Sequence, residues 1–147
     1  MKSSIRTFVL AAFAAATILA TAHSASAQIY SSNGSGDHQL GGGGTASVMV
    51  LALPYAGTYM LGGQQSFANT GNQSETVQCW VSTVNGGTTA IPFGPESYAT
   101  VNGFVTLPLN GSYTATGPTD LWVVCRNDGA AGSIALGTWG NITAILW

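Results

Sequence analysis

The sequence predicts an all-β protein, an antiparallel β-sandwich or jelly roll of about eight strands, held by one disulfide and preceded by a cleaved signal peptide. Three observations predict it. Short apolar runs alternate with Gly, Asn and Pro turns from Ala46 to Trp147, and no window there has helical periodicity. Two of those runs, Thr76–Ser82 and Leu121–Arg126, alternate in period two and each carries one of the two cysteines. The chain also opens with an export signal, which fits the use of cysteine for a disulfide.

In chain order the export signal comes first. Lys2 and Arg6 form a basic start, Phe8 to Ala22 an apolar stretch, and Ala25–Ser26–Ala27 the small-x-small pattern a signal peptidase cuts after. Residues 1–27 therefore read as a bacterial signal peptide, and the product as secreted, periplasmic or extracellular. The apolar stretch is short for a bilayer crossing and no second run of about 20 apolar residues follows, so membrane insertion is not expected.

Cleavage changes the electrostatics. Lys2 and Arg6 leave with the signal, and the product from Gln28 onward keeps a single basic residue, Arg126, against Asp37, Glu75, Glu96, Asp120 and Asp128. Such a surface offers nothing to phosphates, which excludes nucleic acid and anionic membranes as partners. Residues 28–45 (QIYSSNGSGDHQLGGGGT) are poor in apolar groups and contain a run of four glycines, and read as a flexible arm. As a docking arm it would use Ile29, Tyr30 and Leu40 as contacts.

Residues 46–147 form the sandwich domain. Ala46–Leu53 is apolar on both faces, as expected of a strand covered on both sides, and Pro54 ends it. Thr58 to Phe67 follows, with a bulge expected at Gly62–Gly63. After a polar loop comes Thr76–Ser82, with Val77, Cys79 and Val81 on one face. Asn85–Gly86–Gly87 is a strong hairpin turn, predicting a short strand over Thr88–Ile91. Tyr98–Val101, Phe104–Leu109 (broken by Pro108) and Tyr113–Thr116 read as further strands, separated by turns at Asn102–Gly103 and Asn110–Gly111. In Leu121–Arg126, Leu121, Val123 and Cys125 share a face. Ser133–Trp147 gives one or two last strands, bent near Gly137 or Gly140. Its end is apolar on both faces and is placed centrally, with Ala46–Leu53 as the expected partner and the two ends of the domain brought together. The cysteines face one interior, so Cys79 and Cys125 are paired; closing a loop of roughly 45 residues is worth about 4 kcal/mol in the chain-entropy account.

The order of these signals carries a resemblance. Ala56–Gly57–Thr58–Tyr59 opening a strand, Val77–Gln78–Cys79–Trp80–Val81, Leu121–Trp122–Val123–Val124–Cys125 and a closing apolar strand through Leu146 resemble secreted bacterial β-sandwich proteins of unassigned function, with a layout similar to C1q/tumour-necrosis-factor jelly rolls. The resemblance implies a jelly roll, a trimeric homo-oligomer and binding at surfaces, and carries no catalytic residues.

Chemistry is scarce. His38 lies in the expected arm, where no base can be held in register, so no Ser-His-Asp set forms. Asp120 and Asp128 stand at opposite ends of one strand, and Glu75 and Glu96 read as strand-end and turn residues. No catalytic residue, cofactor or metal is therefore assigned, although oxygens around Asn127 and Asp128 are of the kind calcium accepts. Trp80 and Trp122 fall on the face away from the cysteines. They are the candidate contact residues: an outward platform for a glycan ring, a subunit contact, or a pair covered locally by loops. The sequence thus reads as an exported non-enzymatic binding or interaction module, with a structural subunit of an extracellular assembly as the alternative and a carbohydrate hydrolase behind both.

Overall fold

A computed structural model of the chain describes residues 27–69, 75–92, 94, 96–101, 103–129 and 134–147. Residues 1–26 of the expected signal peptide and the polar loop at 70–74 lie outside the described residues. Among these, eight strands are found: β1 (Gln28–Gly41), β2 (Thr45–Leu53), β3 (Gly57–Asn69), β4 (Glu75–Ser82), β5 (Glu96–Val101), β6 (Phe104–Ala115), β7 (Thr119–Asn127) and β8 (Ile134–Leu146).

They form two four-stranded antiparallel sheets, β1-β8-β3-β6 and β2-β7-β4-β5. The pairs β1–β8, β2–β7, β3–β6 and β4–β5 nest inside one another, as in a long hairpin folded at β4–β5 and rolled up. This is the jelly roll the sequence predicts. The inner faces meet in one core. Tyr59, Phe67, Leu107, Leu109, Ile142 and Ala144 come from one sheet, and Leu51, Val77, Val81, Leu121 and Val123 from the other. Burial of alternate side chains supplies the main stabilising term.

Several sequence expectations are corrected. The arm is a strand: β1 pairs with β8 over twelve residues, from Gln28–Leu146 to Gly41–Ile134. It lacks an apolar stripe because it lies at a sheet edge, where the backbone ladder to β8 holds it, and among its described side chains only Leu40 is fully buried. Thr88–Ile91 is loop, not strand. Gly86 does adopt positive φ, +67°, yet the turn lays the segment across the sheet surface instead of starting a hairpin arm. Pro108 and Asn110–Gly111 interrupt nothing: β6 runs through all three, because an edge strand tolerates a missing donor. Finally, β8 is central as expected, but its neighbours are β1 and β3, while β2 is an edge strand with Val50 and Ala52 exposed. The ends do meet, since Gln28 pairs with Leu146.

Gly62–Gly63 is not a bulge either, since the β3–β6 register runs through both without a shift. A Cβ on Gly63 would lie 2.3 Å from the Asn141 carbonyl oxygen of β8, so the requirement there is close strand approach. The irregularity falls instead on β8, whose register shifts against β1 between Ser35 and His38 and against β3 between Ser66 and Phe67, around Thr138. This lies between the two glycines where a bend was expected.

Candidate functional site

Cys79 and Cys125 sit directly opposite each other on β4 and β7, and their sulfurs are bonded at 2.09 Å. Both are fully buried. The link therefore joins neighbours within one sheet and does not bridge the two layers.

On the other side of the same sheet the two tryptophans differ. Trp80 is 3% exposed. The loop after β4 covers it: the indole N–H donates to the Gly87 carbonyl at 2.9 Å, and Gly86 N–H donates to Ser47 Oγ on β2 at 2.7 Å. Arg126 lies over its ring, with the guanidinium carbon 6.0 Å from the centroid. Trp122 is half-buried, opposite Ser82 in the β4–β7 register. The two indoles are thus not an open pair. What covers Trp80 is set by a loop of ordinary turn residues, which no alternation pattern reveals.

Most of the charged residues lie on this sheet and its loops. Arg126 pairs with Asp128 at 2.7 Å and donates to Gln78 Oε1, and Gln78 donates in turn to Glu96. Asp120 opens the outer face of β7. Asp128 is thereby held by Arg126, and Asn127 turns inward. Its Nδ2 donates to Glu75 Oε2 at 2.8 Å and to the Leu40 carbonyl at 3.0 Å, while its Oδ1 accepts from Gly129 N–H. The side-chain oxygens of Asn127 and Asp128 are engaged by Gly129 N–H and by Arg126. Among the described residues no group of three or more His, Cys, Asp or Glu could hold a metal ion. Glu75, read from sequence as a strand-end carboxylate, is 1% exposed inside the sandwich.

The β1-β8-β3-β6 sheet is the opposite. β3, β6 and β8 contain no acidic or basic residue, and β1 has only Asp37 and His38, at its bulge. Ile29, Ile145 and Met60 form one outward row across β1, β8 and β3, exposed by 66%, 40% and 49%. Trp147 stands beside the row and Trp139 further along the same face, both exposed. On the inner side Tyr30 packs edge-on to Tyr59, with centroids 6.0 Å apart. Lost solvation, then the nearby Tyr59 and Tyr55, raise the Tyr30 phenol above its usual pKa. The sequence did signal this row, since the last strand is apolar on both faces, but that pattern reads as central burial.

A cleft of about 570 Å³ opens between the β4–β5 loop and β6. Ser82, Thr83, Thr88 and Thr89 give it hydroxyls, and Val84, Ile91 and Tyr113 give it apolar wall; among the described residues none that lines it is charged.

Strand order and disulfide define the class as a single-disulfide jelly roll. No protein-family model matches the sequence, and no curated protein sequence matches it. Among solved structures it is similar to a chain in the structure of infectious bursal disease virus Gx strain, with a TM-score of 0.60 and 17% identity over 82% of this chain. The match spans 33% of the viral chain, about a third of its length. At that identity the likeness shows the fold alone, a β-sandwich.

Proposed function

We propose that this is an exported, non-catalytic jelly roll that acts by contact, and that it associates with further copies of itself as a subunit of an extracellular assembly. The observation that carries this reading is the segregation of charge. The β2-β7-β4-β5 sheet and its end loop hold Arg126, Glu75, Glu96, Asp120 and Asp128, while the other sheet has an acidic or basic residue only at Asp37 and His38 of β1 and exposes Ile29, Ile145, Met60, Trp139 and Trp147. Exposed apolar groups gathered on one face mark interaction surfaces. The part of that face away from Asp37 and His38 can meet its own copy without burying an unpaired ion. Jelly rolls recur in viral capsids, which fits a building-block role, and the C1q/tumour-necrosis-factor resemblance suggests a trimer. Export and bacterial origin are supported by the pattern of Lys2, Arg6 and Ala25–Ala27 and agree with the buried disulfide. Light scattering coupled to size exclusion on the protein after signal removal is expected to give a multiple of the monomer mass. A strict monomer overturns the assembly reading.

The uncharged, hydroxyl-lined cleft favours a second reading, binding of a neutral glycan, since jelly rolls also serve as lectins. Trp122 faces Ser82 at its border. On a glycan array the wild type should retain a neutral saccharide that Trp122→Ala no longer binds at unchanged thermal midpoint. Retention of no saccharide removes this reading.

A further inference from the structure

The two edges of the β1-β8-β3-β6 sheet are unlike. β6 carries Pro108 in its middle, opposite Gln64, and proline has no N–H to offer an added strand. On that same side of the sandwich β5 brings Glu96. Charges, prolines, bulges and short length are the devices that keep sheet edges from pairing with other chains.

The β1 edge lacks them over its first half. Gln28–Ser35 runs in continuous register with β8, from Leu146 to Trp139, and contains no proline and no charged residue. The bulge and Asp37 come only after it. β1 is terminal in its sheet, and among the described residues no strand pairs with its outer side. β2, the adjoining edge of the other layer, is also free of charge.

We infer that Gln28–Ser35 is a self-pairing edge: it adds antiparallel to the same segment of a second copy about a two-fold axis, joining two four-stranded sheets into one of eight. The inference rests on the self-association reading above and names its interface. The second copy is the occupant because a strand set against itself meets only uncharged side chains in every register, so no like charges face each other. The apolar row points the same way. It ends at Ile29, its most exposed member, on the edge strand itself. A strand laid beyond β1 covers Ile29 first, and a second copy contributes its own Ile29 to the same face. Main-chain hydrogen bonds give the affinity, as in other strand additions.

The test compares Ser31→Pro, Ser32→Pro and Ser31→Lys with wild type by light scattering, circular dichroism and thermal melting. Successive residues of an edge strand direct their N–H groups to opposite sides, so one proline variant removes an outward donor while leaving the ladder to β8 whole. That variant is expected to keep the fold and fall to monomer mass. Ser31→Lys, on the outward face, keeps the fold and weakens association at least tenfold. Should a folded proline variant of each position, or a folded Ser31→Lys, associate as tightly as wild type, the edge assignment is overturned while self-association stands. A monomeric wild type overturns both.

Discussion

Replacing Cys79 and Cys125 together by alanine should lower the unfolding free energy by about 4 kcal/mol, the chain-entropy value for a loop of this length. The thermal midpoint should fall by roughly 10–20 °C for a domain of this size. The bond spans 46 residues of sequence and closes a loop that holds β5, β6, half of β4 and most of β7. Without it, the inner strands β4 and β7 must find each other through a longer search in the unfolded chain. Both sulfurs are buried, so the variant also loses packing inside the core. Urea unfolding of wild type, reduced wild type and the double variant checks the claim. A loss below about 1 kcal/mol would show that the unfolded chain already keeps β4 near β7, and would remove the entropic account.

The strands flanking this bond were the most legible part of the sequence. Val77, Cys79 and Val81, with Leu121, Val123 and Cys125, alternate because each strand has one face on the core and one outside. Legibility failed where a strand is held by its partner and not by its own side chains. β1 reads as an arm because Ser31, Ser32, Asn33 and Gly34 bury little, and its order comes from the ladder to β8. β6 reads as two strands because Pro108 and Asn110–Gly111 look like interruptions, but turn chemistry decides less at an edge than pairing does. The candidate contacts followed the same division. Alternation placed Trp80 and Trp122 outward correctly, but burial of Trp80 depends on the Gly86 and Gly87 backbone reaching back across the sheet. The uncharged edge is a property of which strands are neighbours, and composition along the chain does not show adjacency.

Asn127→Leu is expected to cost about 3–4 kcal/mol, because several buried polar groups lose their partner in one step. The Asn127 side chain joins three strands: it reaches Leu40 of β1 and Glu75 of β4 from its own place on β7. Glu75 Oε1 already has no hydrogen-bond partner within the described structure, so losing Asn127 strips the other oxygen as well. Removing both polar side chains should hurt less than the single changes suggest. Glu75→Leu with Asn127→Leu replaces a buried polar contact by an apolar one, and such exchanges are far milder than leaving one partner behind. The double-mutant cycle, read by urea unfolding, should therefore show a coupling of about 1–3 kcal/mol between the two sites. Additivity within about 0.5 kcal/mol would mean that the two side chains act independently and that β1 is anchored by its backbone ladder alone. With coupling, the same contact fixes the position of β1 against the second layer. Amide exchange in Gln39–Gly41 should then rise in Asn127→Leu more than exchange in β3, because the tie to Leu40 is lost there first.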